Sequence, residues 1–238
     1  MISRFRSSLF FVGYAGLTFI ISVLLMLLFR ILPANGTFYL YALWCKLVLF
    51  WLRITCGIRY HVEGRQNLPD TPVIVLSNHQ STWETIFLYQ LFTPCCPILK
   101  KELLEIPFWG WALRLQKPIA IDRSKPREAG KSLLTQGAQR IKEGLSILVF
   151  PEGTRSKAGT LGKFSRGGAQ LAVSTSTPVI PVLHNAGNFW PAGTHKKTPG
   201  VVQVYIGEVI SSEGKDPKEL AAEFEAWVIN NKHRVGID

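Results

Sequence analysis

The sequence predicts an α/β fold, with a mainly parallel sheet flanked by helices and a membrane-associated helical hairpin at the N-terminus. Short apolar runs rich in Val, Ile and Leu alternate with segments of helical periodicity, as in an α/β domain. Two of these runs stop abruptly at polar turns. Two long apolar segments come before them. We therefore predict a hairpin over residues 1–57 and one further domain over residues 58–238.

Composition limits the classes of function. The 238 residues suffice for one α/β domain of ordinary size and an appendage. The formal charge of +11 suits an anionic membrane surface, an anionic substrate or nucleic acid. Because the charge is dispersed along the chain and one long segment is uncharged, nucleic acid is not an expected partner. The four cysteines have no metal-ligand spacing, so we expect a reducing compartment and no metal site.

The predicted hairpin has two unequal arms. Leu9 to Phe29 contains no charged side chain, and its 21 residues would span roughly 31 Å as a helix, which matches a hydrocarbon core. No Ala-x-Ala-like cleavage site follows, so we predict an uncleaved anchor. Phe38 to Leu52 is short for a spanning helix and rich in aromatic residues, which favours an interfacial position. The pattern leaves open whether the hairpin spans the bilayer or enters one leaflet.

After residue 57 the hydrophobic period changes from that of a helix to that of a strand. A strand, a helix and a second strand in succession imply a parallel crossover. Pro181 predicts that its strand lies at an edge of the sheet. The predicted strands are 58–63, 73–76, 119–121, 147–150, 179–182 and 201–206, and the predicted helices are 85–92, 126–143, 165–174 and 218–233.

The strand over residues 73–76 stops at a turn that carries His79, and Glu84 follows five positions later. In one regular helix the two side chains would lie roughly 140° apart, so they meet only if His79 is in the turn and Glu84 in the first helical turn. Glu84 would then accept a hydrogen bond from one ring nitrogen and leave the other free to take a proton. The structural alternative is a capping box, in which Ser81 caps the helix and Glu84 reaches back to the Ser81 amide.

The strand over residues 147–150 ends in a similar way, at the turn 151–156. Gly153 allows backbone amides to face a ligand, and Arg155 offers a planar donor fork that suits a phosphate. The alternative is that Glu152 and Arg155 merely pair with each other across the loop. Two strand-end turns with complementary groups favour one shared site. Further cations occur at or near the predicted ends of other elements: Lys100, Lys101, Arg123, Lys163 and Arg166.

Several of these segments resemble the motifs of the glycerolipid acyltransferases. Asn78-His79-Gln80-Ser81-Thr82-Trp83-Glu84 resembles the first motif, a His followed by four residues and an acid, and Phe150-Pro151-Glu152-Gly153-Thr154-Arg155-Ser156 is similar to the third nearly letter for letter. Residues 100–103, 107–111 and 121–123 fit the second motif, and 179–182 the fourth. The resemblance runs in order from about residue 58 to 210. The family usually has Asp where this chain has Glu84, which keeps the charge and adds a methylene group.

The resemblance implies that residues 58–238 are an acyltransferase domain. A long-chain acyl group would arrive as a thioester on coenzyme A or acyl carrier protein. His79, oriented by Glu84, would deprotonate the free hydroxyl of a lysophospholipid, and 1-acylglycerol-3-phosphate would give phosphatidic acid. Backbone amides near Lys101 to Leu103 would stabilise the oxyanion. The residues implied to hold the glycerol phosphate are Glu152, Gly153, Thr154 and Arg155, with Arg123 as a second cation.

The expected partners are therefore the lysophospholipid, the acyl thioester and the bilayer, with acyl carrier protein as one of two donors. No metal or redox cofactor is expected. The expected location is a membrane, the bacterial inner membrane, with the catalytic domain facing the cytoplasm. Two alternatives stay open: an acyltransferase for another acceptor, such as lysophosphatidylcholine or a lyso-ornithine lipid, and a catalytically silent, membrane-anchored lipid-binding relative.

Overall fold

The computed structural model describes residues 2–122 and 124–237. A short 3-10 helix, Lys101–Glu105, follows the third strand. The helices are α1 (Ile2–Leu28), α2 (Gly36–Cys56), α3 (Trp83–Leu91), α4 (Trp109–Arg114), α5 (Pro126–Lys142), α6 (Gly167–Ser174) and α7 (Pro217–Asn231). The strands are β1 (Ile58–Glu63), β2 (Ile74–Ser77), β3 (Cys95–Lys100), β4 (Ile119–Ile121), β5 (Ser146–Val149), β6 (Val179–His184) and β7 (Gly200–Ile206).

The strands form one sheet in the order β1-β7-β6-β2-β5-β3-β4. Every neighbouring pair is parallel except β6 and β7. The predicted α/β class with a mainly parallel sheet is therefore confirmed. β2 and β5 are buried along their whole length, which explains why their sequences are apolar without alternation. Their carboxyl ends open at the same edge of the sheet as those of β3 and β4.

The prediction that Pro181 marks an edge strand is wrong. β6 lies in the interior of the sheet, between β7 and β2. Pro181 pairs with Leu76 of β2, and its carbonyl accepts a hydrogen bond from Gly207 at 2.9 Å. The antiparallel ladder to β7 begins only at Val182. Proline is tolerated here because its missing N–H falls beyond the end of that ladder.

The two N-terminal helices pack against each other and against the α/β domain. The Trp51 indole of α2 donates to the Phe10 carbonyl of α1 at 3.2 Å, and the rings of Tyr41 and Tyr89 join α2 to α3. Lys197, which is buried, places its ammonium over the Phe11 ring at 4.1 Å. The hairpin is thus attached to the domain by both of its helices.

Both helices are long and apolar enough to cross a bilayer. The most apolar 18-residue window has a mean hydropathy of 2.3 within Arg4–Leu28 and 1.3 within Gly36–Cys56. The second arm is longer than the predicted 38–52, because α2 starts at Gly36 and continues through Arg53 to Cys56. α1 exposes large apolar side chains, among them Phe5, Val12 and Phe19. Because water-exposed apolar surface of this extent is unfavourable, the two helices are compatible with membrane association.

Candidate active site

The two motif-bearing turns leave the sheet side by side. Leu76 of β2 is paired with Val149 of β5, so the parallel strands end at the same level. The turn after β2 carries His79, and the turn after β5 carries residues 151–156. The Ser156 amide donates to the His79 carbonyl at 2.7 Å, which joins the turns directly. The predicted juxtaposition of these turns is present in the structure.

His79 and Glu84 form a buried pair. Nδ1 of His79 lies 2.8 Å from Oε1 of Glu84, and the same oxygen accepts hydrogen bonds from the amides of Gln80 and Ser81, at 2.8 and 2.6 Å. The capping interaction and the His–acid interaction therefore coexist. Because the carboxylate accepts from Nδ1–H, Nε2 of the neutral ring is left as an acceptor. The ring stacks on Phe150 at 4.1 Å, and its side chain is 11% exposed.

Glu84 is completely buried yet held in its charged form. Burial acts to raise the pKa of its carboxyl group. The nearby His184, the hydrogen bond from His79 and the Ser81 amide together outweigh burial, so the pKa is lowered below its usual value. A charged acceptor on Nδ1 fixes the tautomer of His79 and stabilises the imidazolium that forms when Nε2 takes a proton.

Glu152 joins the second turn to the backbone of the first. Its Oε1 accepts from the His79 amide at 2.7 Å, and its Oε2 accepts from the Gly162 amide at 2.7 Å and from the Ser156 hydroxyl. Burial raises the pKa of this carboxyl group. Within the described ranges no ion pair joins Glu152 to Arg155, so that structural alternative is not observed. Both oxygens accept hydrogen bonds from protein donors, so Glu152 holds the two turns in position relative to each other.

Residues 153–155 present unoccupied donors at the surface. Gly153 adopts φ +69°, a conformation that costs other residues about 1 kcal/mol or more, and turns the chain away from β5. Gly153, Thr154 and Arg155 are exposed. The backbone amides of Thr154 and Arg155 have no hydrogen-bond acceptor among residues 2–122 and 124–237. Arg155 also lies close enough to Tyr14 of α1 to act on it electrostatically. The turn therefore offers anion-binding groups beside the hairpin.

Comparison with known proteins agrees with this geometry. The family model described as Acyltransferase matches residues 59–185, which include both turns. A protein from Pseudomonas aeruginosa named 1-acyl-sn-glycerol-3-phosphate acyltransferase is 45% identical over 231 residues, covering 95% of this chain and 90% of that protein. The chain belongs to the acyltransferase family.

Two more distant relatives extend the comparison of this acyltransferase. The human 1-acyl-sn-glycerol-3-phosphate acyltransferase alpha is 32% identical over 181 residues, which are 74% of this chain and 64% of the human protein. The crystal structure of the 1-acyl-sn-glycerophosphate (LPA) acyltransferase PlsC from Thermotoga maritima has a TM-score of 0.81 and 24% identity, covering 98% of this chain and 97% of that one. At 24% identity this similarity shows a shared fold. The shared fold includes the N-terminal helices, because 98% of this chain is covered.

The other predicted substrate contacts lie at the same edge of the acyltransferase sheet or outside the described residues. β3 is separated from β2 only by β5, so Lys101, directly after β3, is roughly 10 Å from the first turn in the strand-pairing direction. Lys101 is exposed and acts electrostatically on Asp122, which follows β4. Arg123 falls outside the described residues.

A buried pair that the sequence did not single out holds the first turn. The Asn78 side chain donates to the His184 carbonyl at 2.9 Å and accepts from the His184 amide at 3.0 Å. Nε2 of His184 donates to the Asn78 carbonyl at 2.8 Å, while Nδ1 accepts from the Ala186 amide. Burial lowers the pKa of His184. The available signal was a polar residue at the end of each strand, Asn78 directly after β2 and His184 as the last residue of β6, but only the pairing of β2 with β6 brings the two residues together.

We expect Glu152→Gln to lower kcat and leave the KM for the acceptor unchanged. The carboxamide keeps one acceptor for the His79 amide but presents N–H groups to Gly162, so the His79 turn shifts, and a displacement of 1 Å can cost up to about 100-fold in rate. Ser156→Ala, which removes only the hydroxyl donor, is the matched control and should change kcat far less. Steady-state kinetics with varied acceptor check this. A raised KM at constant kcat would instead make Glu152 a direct substrate contact.

Proposed function

We propose that this acyltransferase transfers a fatty acyl group from an acyl thioester to the free hydroxyl of 1-acylglycerol-3-phosphate, giving phosphatidic acid. The observation that carries the proposal is the buried His79–Glu84 pair, whose turn is hydrogen-bonded to the exposed turn of Arg155. The name of the Pseudomonas aeruginosa relative supports the same acceptor. The donor is a thioester on coenzyme A or acyl carrier protein.

The reaction begins with proton removal by His79. Nε2 takes the proton of the acceptor hydroxyl, and the oxygen attacks the thioester carbonyl to form a C–O bond and a tetrahedral oxyanion. The oxyanion collapses, the C–S bond breaks, and the departing thiolate takes the proton from the imidazolium. The products are an ester and a free thiol, and the atoms balance with no metal or redox cofactor. Glu84 stabilises the imidazolium through Nδ1.

The groups that bind substrate lie on three segments of the chain. Gly153, Thr154 and Arg155 hold the acceptor phosphate through two backbone amides and the guanidinium fork. The amides at the start of the 3-10 helix, near Lys101, supply donors to the oxyanion, and the Lys101 side chain adds positive charge to the same edge. Arg123 is the second cation for the phosphate.

The hairpin gives the enzyme access to its lipid substrates. A pocket of about 320 Å³ lies between α1 and the segment that follows β6, and it is lined partly by Phe11, Tyr14 and Trp190. Thr82 of the first motif also lines it, so the pocket connects α1 to the His79 turn. We propose that it accommodates part of an acyl chain. We also propose the bacterial inner membrane as the location, with the catalytic domain facing the cytoplasm.

A matrix of donors and acceptors tests the proposed reaction. Purified protein in phospholipid vesicles is given acyl-coenzyme A or acyl carrier protein with lysophosphatidate, lysophosphatidylcholine or a lyso-ornithine lipid, and the products are separated by thin-layer chromatography. We expect phosphatidate as the main product. Turnover of another acceptor alone would replace lysophosphatidate in the proposal, and no turnover of any pair would support a silent lipid-binding protein.

We expect Arg155→Ala to raise the KM for lysophosphatidate by about 10- to 100-fold. A hydrogen bond to a charged group contributes about 1.5–3 kcal/mol, and Arg155 offers two parallel donors to a phosphate. Arg155→Lys keeps the positive charge but loses the planar pair of donors. Its KM should therefore lie between those of wild type and Arg155→Ala. Arg65→Ala, which removes an exposed arginine after β1, is the matched control and should leave KM unchanged. An unaltered KM in Arg155→Ala would remove this turn from phosphate binding.

A further inference from the structure

An exposed apolar group lies on the catalytic domain, outside the hairpin. Ile106 and Phe108 are each 42% exposed, and Trp111 of α4 is 46% exposed. The Phe108 and Trp111 rings lie 5.5 Å apart. We refer to these three residues as the aromatic edge. Neither the proton transfer nor phosphate binding uses them.

The aromatic edge is continuous with the apolar surface of α1. The Phe19 ring of α1 contacts the Phe108 ring edge-to-face, with centroids 5.2 Å apart. Phe19 is 54% exposed and its neighbour Ile20 is 55% exposed, so the apolar surface extends from the helix onto the catalytic domain. Any apolar surroundings that cover this part of α1 would therefore also cover the aromatic edge.

Phe108 has an unfavourable backbone conformation at the start of α4. Its φ of +61° and ψ of −65° are unfavourable for a residue with a Cβ, at a cost of order 1–3 kcal/mol. Much of the ring still faces outward. A strained backbone together with an exposed aromatic side chain is typical of residues at binding surfaces.

Charged residues surround the aromatic edge. Lys100, Lys101 and Arg114 are exposed, and so are Glu102 and Glu105. The Arg114 guanidinium donates to the Leu104 carbonyl and stays at the surface. Aromatic side chains flanked by snorkelling cations are typical of the level where headgroups meet acyl chains.

We propose that the aromatic edge inserts into the bilayer interface beside α1, as a membrane contact made by the catalytic domain itself. The occupant is phospholipid, at the boundary of headgroups and acyl chains. The 3-10 helix Lys101–Glu105 connects this contact directly to β3, whose carboxyl end opens at the edge of the active site. Insertion at Phe108 and Trp111 thus sets the height of the active site above the membrane. The inference rests on the membrane association of α1 and is independent of which acceptor is used.

Depth-dependent quenching tests the contact on the full chain. The four native cysteines are buried, so an introduced surface cysteine can be labelled selectively with a nitrobenzoxadiazole dye. Trp111→Cys reports on the aromatic edge, Phe19→Cys on α1, and Ile229→Cys on an exposed apolar residue of α7. Each labelled protein is reconstituted into phosphatidylcholine–phosphatidylglycerol vesicles with or without nitroxide-labelled lipid. We expect lipid-dependent loss of fluorescence at positions 111 and 19, and none at 229.

The controls separate this inference from the membrane association on which it rests. Quenching at 19 without quenching at 111 would overturn the contact and leave α1 in the membrane. Absence of quenching at both 19 and 111 would overturn the membrane association of α1 as well as the membrane contact of the aromatic edge. Energy transfer between donor- and acceptor-labelled copies at 111, without lipid quenching, would show that a second copy of the chain covers the aromatic edge, and it would also overturn the proposal.

Discussion

His79→Ala is expected to lower kcat by about 10³-fold, since a positioned general base contributes about 10²–10⁴. The variant keeps residues 153–155, which we propose to hold the phosphate, so KM for lysophosphatidate should change little. His61→Ala removes an exposed histidine of β1 and is the matched control, with wild-type activity expected. Initial rates with a long-chain acyl-coenzyme A measure both variants.

Folding must be separated from chemistry in this experiment. His79→Asn retains a side-chain N–H near the position of Nδ1, so it can still donate to Glu84 while it offers no basic nitrogen. We expect it to be as inactive as His79→Ala and to unfold at close to the wild-type temperature. A rate above about a tenth of wild type in either variant would remove His79 from proton transfer.

Glu84→Gln has the second largest expected effect, a fall in kcat of about 100-fold or more. A carboxamide oxygen can still accept from the amides of Gln80 and Ser81, but it no longer stabilises an imidazolium. Glu84→Asp keeps the charge and is one methylene shorter, so the turn must move to preserve all three hydrogen bonds. We expect activity to decrease in the order wild type, Glu84→Asp, Glu84→Gln. Equal activity of Glu84→Gln and wild type would leave Glu84 with a capping role only.

Stability of the same variants should depend on pH in a defined direction. The pKa of Glu84 is lowered in the folded chain, so the unfolded chain binds more protons as the pH falls through the usual carboxyl range. The stabilisation by Glu84 is therefore complete above that range and is lost as the pH falls through the lowered folded pKa. We expect the difference in unfolding temperature between wild type and Glu84→Gln to shrink toward low pH. A difference that grows on acidification would contradict the charged state assigned here.

The sequence predicted the strands that deliver the active site because burial leaves a strong local pattern. β2 and β5 are short, wholly apolar runs, and each ends in polar residues. β3 was missed because its first residues, Cys95-Cys96-Pro97, are not typical of a strand. Its position between β5 and β4 depends on pairing across the sheet, which the local sequence does not show. The length of α2 was underestimated because Arg53 and Thr55 interrupt the apolar pattern while the helix continues.

Within the active site, the His79–Glu84 pair could be predicted from the sequence. The residues that hold the His79 turn in place could not. The spacing of His79 and Glu84 restricts their geometry to a turn followed by a helix. The resemblance alone implied that Glu152 contacts substrate. Its hydrogen bonds to the backbone amides of His79 and Gly162 could not be predicted, because no side-chain pattern indicates them. His184 was overlooked for the same reason, since it reaches Asn78 through pairing of β2 with β6.

The central claim is that Nε2 of His79 removes the proton of an acceptor whose phosphate is held by residues 153–155. A structure of the unaltered protein with lysophosphatidate and no acyl donor tests it most directly, because the acceptor is not consumed. We expect the free hydroxyl within about 3 Å of Nε2 and the phosphate on the amides and guanidinium of the second turn. A bound acceptor whose hydroxyl faces away from His79, or whose phosphate lies on other cations, would contradict the account.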